Sequence, residues 1–200
     1  MSEKERLRKI QTITKYFPFW QGLAQLPLGF GVLFLGLMQF WQPEAIGLSL
    51  LRLVVLLLGV GLCAWAVSVV ARWYRATFGM VNNPKVVGPI IARSYFVIFP
   101  LSVALAFVDF LWPLPFSLVL LGFAASLVWI RQLTGGNRPY YLWLSVLLVP
   151  LAFTPMLLGG LEMRSFVPIV LGVFISLIGV LDHLELTRVF KGEAQEGGAG

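Results

Sequence analysis

Charges are so sparse along this chain that the uncharged stretches between them set its architecture. Leu53–Ala71 contains none, and a helix of ~20 apolar residues at 1.5 Å each crosses the hydrocarbon of a bilayer. Arg72-Trp73-Tyr74-Arg75 follows at once, the basic and aromatic sequence expected of an interfacial anchor. The same pattern predicts six spans, near 22–41, 53–71, 89–111, 116–130, 140–159 and 165–181. The fold class expected is therefore all-α, a six-helix transmembrane bundle occupying residues 18–191. Pro27 with Gly29, Gly31 and Gly36 permits a kink and close helix approach in the first span. In the second, Gly59 and Cys63 share one face and Gly61 and Trp65 another, both suited to tight packing. Pro89 fits the first turn of the third span, and Pro150 and Pro155 break the fifth.

Outside the bundle the pattern changes. Residues 1–17 place Leu7, Ile10, Ile13 and Phe17 on one helical face, with Lys4, Arg8, Lys9 and Lys15 among the polar positions. Such a basic amphipathic arm is expected to lie on headgroups, with a regulatory or partner-binding arm as the alternative. The first apolar run is too long for a cleavable signal and has no small-residue cleavage site behind it, so it is expected to remain as an anchor. Residues 192–200 are small and acidic, which predicts a disordered tail.

Composition strengthens the membrane reading. Of 200 residues, 58% are hydrophobic and 12% charged, with mean hydropathy +0.87, whereas soluble chains carry about 25% charged residues. The net charge of +6 is better explained by topology and anionic headgroups than by nucleic acid. Thirteen of the fifteen Lys and Arg fall on one side of the predicted spans, against Arg52 and Arg164 on the other. The excess of positive charge on cytoplasmic loops then predicts an inner (plasma) membrane protein with both termini cytoplasmic. Most Trp and Tyr fall near predicted span ends, as an interfacial belt requires, while Trp65 and Trp143 lie further in and are expected to pack. Arg75, Arg131 and Arg188 each precede a glycine by four residues, at spacings of 56 and 57. Three hairpin repeats would explain this, but so would any inward-going helix ending in a basic anchor and a glycine.

Candidate chemistry is thin. One histidine and one cysteine cannot build a metal or haem site, so no cofactor is expected. No phosphate-binding glycine loop, metalloprotease motif or nucleophile elbow is present. The charges at span edges remain. Asp182, Glu185 and Arg188 share a helical face, expected to surface into water; with His183 they suggest a docking or proton-sensing surface. Arg93 is placed to pair with one of these carboxylates or to snorkel to phosphates. Asp109, among aromatics at the other side, has Arg52 and Arg164 as its available cations.

These features favour a non-enzymatic accessory, scaffold or sensor subunit packed against lipid or another membrane protein. The alternative is a small oligomeric permease, its cavity lined by the spans broken at Pro27, Pro100 and Pro150–Pro155, with Asp109 or Arg93 at a mouth. A lipid-modifying enzyme using Asp182, His183 and Glu185 is a third reading, without a nucleophile or metal set to support it.

Overall fold

Apolar runs satisfy their own backbone groups as helices, and every regular element among the described residues is helical. The computed structural model describes residues 22–40, 46–78, 97–98, 100–109, 111–112, 114–134, 138–158 and 163–196. The basic arm 1–17, the turn at 42–44, Pro89, Arg93 and the glycines at 135–136 lie outside them.

A 3-10 turn, Gly22–Ala24, leads into α1, Gln25–Met38. Then come α2, Ile46–Phe78; α3, Pro100–Asp109; α4, Leu118–Leu133; α5, Pro139–Ala152; the short α6, Thr154–Leu158; and α7, Met163–Glu196. Two of these are long and apolar enough to cross a membrane by length and composition: α2 over Ser49–Thr77 and α7 over Phe166–Arg188. The other predicted spans correspond to shorter apolar helices of 10–17 residues.

Boundaries moved for local reasons. α2 and α7 run well past the predicted span ends, because the charged residues beyond 71 and 181 are good helix formers with nothing to stop them. Helix continues to Glu196, into the stretch expected as a disordered tail, and residues 197–200 lie outside the described ones. Pro139 occupies the first turn of α5, where its missing N–H costs nothing. Pro150 is accommodated inside α5, and the break falls at Phe153, whose N–H returns to the Pro150 carbonyl at 3.1 Å.

The core is built from three stripes at helical spacing: Leu120, Ala124 and Leu127 of α4; Tyr141, Leu144, Leu148 and Ala152 of α5; and Val170, Phe174 and Ile178 of α7. Polar ties set the register of α4 against α5. Ser145 Oγ donates to the Ala124 carbonyl at 3.0 Å, and the Ser117 N–H takes up the Ala152 carbonyl at 2.7 Å. The second bond satisfies an acceptor that the end of α5 would otherwise leave open.

α1 and α7 meet along a glycine seam. A methyl at Gly22 would lie 2.7 Å from Asp182 Cβ, one at Gly29 2.8 Å from the Gly172 oxygen, and one at Gly36 2.9 Å from the Ile169 nitrogen. Contacts descend along α7 as they ascend along α1, so the two helices are antiparallel. Gly172 and Gly179 complete the seam from the α7 side, where an added methyl would lie 2.6 Å from Leu33 Cβ and from the Gly22 oxygen respectively. The heptad spacing of these glycines keeps backbone against backbone for four turns, the close approach that small residues permit in lipid. The expectation that Gly29 and Gly36 allow close approach is met here.

Gly31 turns instead toward Cys63 of α2, where an added methyl would lie 3.0 Å from its Sγ, and Gly59 turns toward Phe34. Gly61 faces open space. Of the two faces weighed for α2, the Gly59 and Cys63 face is the one that packs. Trp65 and Trp143, expected to pack, are 61% and 71% exposed; their helices turn those positions away from α1 and the core.

Successive helices alternate in direction. Gly22, Tyr74, Arg138 and Asp182 mark one end of the assembly, where α1 and α5 begin and α2 and α7 approach their ends. Asp109, the start of α4 and the end of α5 mark the opposite one.

Candidate functional site

One of the fully buried polar groups is the one the sequence places in water. Asp182 is at 0% exposure, so the expected solvated face of Asp182, Glu185 and Arg188 is corrected. Arg188 is exposed and Glu185 half-buried, but Leu186 and Asp182 turn inward. Asp182 lies one turn beyond Gly179, on the stripe that meets α1. Gly22 contributes no side chain there, which lets α1 close over the carboxylate.

Five groups from three helices define the site. Arg138, immediately before α5, is also at 0% exposure and pairs with Asp182 Oδ2 at 3.3 Å. Tyr141 donates to the same oxygen at 2.9 Å, and Gln25 of α1 at 3.4 Å. Tyr140 donates to Oδ1 at 2.5 Å. Arg138 in turn donates to the Tyr141 hydroxyl at 2.5 Å, and its guanidinium lies 5.1 Å from that ring's centroid. The proton order follows: arginine to phenol oxygen, phenol proton to carboxylate. An ionised carboxylate has about four acceptor positions, and the chain fills them with its own donors. This satisfies the condition for burying charge, that each ion be paired and hydrogen-bonded.

A second polar group abuts the first. Tyr74, fully buried, bonds His183 Nδ1 at 2.9 Å, and its oxygen accepts the Leu23 N–H at 3.1 Å. Leu23 belongs to the turn opening α1, so Tyr74 caps a donor that a helix start leaves open. The Tyr74 hydroxyl and His183 Nδ1 share one hydrogen bond, whose direction follows the imidazole tautomer. The two rings meet edge to face, centroids 6.0 Å apart. Adjacent residues of α7 thus serve different helices, Asp182 joining α5 and α1 while His183 joins α2.

At the opposite end, Asp109 corrects its expectation. In place of Arg52 or Arg164, its carboxylate takes Ser117 Oγ at 2.8 Å and the N–H groups of Leu118 and Val119 at 2.9 and 3.0 Å. It caps α4, with Ser117 Oγ accepting from Leu120 N–H as the helix's own N-cap. The positive end of the helix macrodipole and three donors stabilise the carboxylate there.

Of the candidate charges, the structure brings Asp182 and His183 into the site; Glu185 and Arg188 continue α7 beyond it, Asp109 lies at the far end, and Arg93 falls outside the described residues. Sequence reasoning missed Gln25, Tyr74, Arg138, Tyr140 and Tyr141. The last four read as interfacial anchors, which is how Tyr and Arg beside a span ordinarily behave. A usable signal was present: Gly172 and Gly179 mark a close-packed stripe, and Asp182 continues it. Among the described residues no group of three or more His, Cys, Asp or Glu is placed to hold a metal. No protein-family model matches the chain, nor does any curated protein or solved structure.

Proposed function

We propose that this protein is a multi-pass inner-membrane protein with both termini cytoplasmic, acting as a non-enzymatic accessory subunit, a scaffold or sensor, for another membrane component. The observation that carries the reading is the division of labour among its helices. The interior polar groups of α1, α5 and α7 hold those helices to one another, while α2 turns apolar side chains outward along its length, from Leu50 at 60% exposure to Trp73 at 45%. Two further features support the multi-pass reading. α1 lies antiparallel along α7 from Ile169 to Asp182, so a slab that α7 crosses also contains α1. Arg72, Arg75, Arg131, Arg138 and Arg188 gather at the end where α2, α4 and α7 finish, with Arg52 at the other, which suits a cytoplasmic face bearing on anionic headgroups.

Two measurements test this. Green fluorescent protein fused after Glu196 should fluoresce in bacterial cells, and alkaline phosphatase inserted at Gln42 should be active; the reverse pattern refutes the orientation. Native mass spectrometry from membrane nanodiscs should show a stoichiometric second membrane protein. A homo-oligomer carrying a defined solute would instead favour the small permease, which has one observation on its side: a buried acid on a membrane-length helix, Asp182 paired with Arg138, is costly and often marks a transport path.

A further inference from the structure

The Asp182 network accounts for one arginine at its end of the molecule and leaves another over. The buried stripe of α4 runs through Leu120, Ala124 and Leu127 to Thr134, and the helical position between the last two is Arg131. Ser145 against Ala124 and Ser117 against Ala152 fix the register of α4 and α5. The same antiparallel register sets position 131 level with Arg138. Asp182 serves only the second of these arginines, since Arg138, Tyr141, Gln25 and Tyr140 already fill its acceptor positions. Arg131 is half-buried and its Nε is enclosed without a partner. Among the described residues its guanidinium makes no hydrogen bond or ion pair, and its terminal nitrogens are not enclosed.

We propose that Arg131 seats the phosphate of one anionic phospholipid where α4 ends. Its guanidinium is not spent on its own helix. Arg72 and Arg75 of α2 donate Nε–H to the Ser68 and Ala71 carbonyls at 3.4 and 3.3 Å. At the end of α4 that work is done by Thr134, whose N–H and hydroxyl both go to the Ile130 carbonyl at 2.9 Å. Depth favours a headgroup. α4 has 16 residues, about 24 Å, less than the ~30 Å of bilayer hydrocarbon, and so short a helix draws headgroups inward at its ends. Trp129, 51% exposed, lies at the same depth on the outer side of α4, as an interfacial aromatic does. A half-buried cation without a counter-ion is costly, and the planar fork of a guanidinium matches phosphate oxygens. A zwitterionic headgroup carries its own ammonium, so a net negative one offsets the spare charge better.

The site rests on the membrane reading above, and the test separates the two. The full chain is placed in nanodiscs of mixed phosphatidylcholine and phosphatidylglycerol, then released and weighed by native mass spectrometry. The unaltered protein should retain one phosphatidylglycerol per chain. Arg131→Gln should lower that retention about tenfold, the scale of a charge-assisted hydrogen bond. Arg188→Gln, which removes the same charge from an exposed position at the same end, should leave it unchanged. Excess inorganic phosphate should not displace the lipid. The proposal is overturned if the unaltered chain sheds phosphatidylglycerol as readily as phosphatidylcholine, a result that needs no variant to fold. It is equally overturned if Arg188→Gln matches Arg131→Gln, which means diffuse attraction, or if inorganic phosphate displaces the lipid, which means a soluble ligand. A chain that carbonate washing strips from bacterial membranes refutes the membrane reading instead.

Discussion

Replacing Asp182 by Asn tests the buried network most directly. The change preserves shape and leaves one acceptor for Tyr140, but places an amide where Oδ2 now meets Tyr141, Arg138 and Gln25. Donor then faces donor, and the Arg138 guanidinium, at 0% exposure, loses its ion pair with Asp182. An exposed pair would be worth ~0.2–1 kcal/mol. Removing one partner of a buried pair costs about 3–5 kcal/mol, because the survivor's charge is uncompensated; at 1.4 kcal/mol per tenfold that lowers the folding constant roughly a hundredfold or more. Arg138→Gln should cost a similar amount, and the double variant should fall short of the summed losses by ~2–3 kcal/mol, as coupled neighbours do. Reversible unfolding in mixed micelles of rising SDS fraction, followed by tryptophan fluorescence, measures all three. A loss under about 1 kcal/mol for Asp182→Asn, or additivity in the double variant, would refute the network as the tie between α1, α5 and α7.

The other predictions concern packing and capping. Gly29→Ala should destabilise by about 1–3 kcal/mol, since its new methyl meets the α7 backbone; Gly61→Ala, with open space around it, should stabilise by ~0.5–1 kcal/mol by the same assay. A reversed or equal response would mean that α1 and α7 do not meet at the seam. Asp109→Ala should cost roughly 1–2 kcal/mol by uncapping α4, with Asp109→Asn milder because an amide oxygen still accepts. If Asp109→Asn is the more damaging, its role is not capping. Ser145→Ala should cost about 1 kcal/mol, read from the same unfolding curves, through loss of its bond to the Ala124 carbonyl.

The contrast between Gly31 and Asp182 shows what kind of information a membrane-type sequence carries. Gly31, Gly29 and Gly36 are legible as approach points because a missing side chain has one use in a helix-rich apolar chain. Asp182 with Glu185 and Arg188 has the spacing of a solvated face, and that spacing is the same whether water or another helix covers it. Arg138 is 44 residues away from Asp182, and nothing local ties a loop arginine to a particular acid. The aromatic residues mislead for a similar reason: Tyr74 beside Trp73 is as apt for a headgroup region as for a buried hydrogen bond.

What the sequence determined by itself was the helical character of the chain, the position of the apolar stretches and the gathering of arginines at alternate helix ends. These follow from residue-by-residue costs, of exposing backbone in apolar surroundings and of placing charge away from water, which need no knowledge of neighbours. The tertiary structure decided which faces meet, and therefore that Asp182 is enclosed, that Asp109 caps α4 and that Tyr74 joins α2 to the start of α1 and to α7. Those outcomes depend on whether a partner helix arrives at the right depth. Here the antiparallel glycine seam brings Gly22 over Asp182 and leaves no room for water.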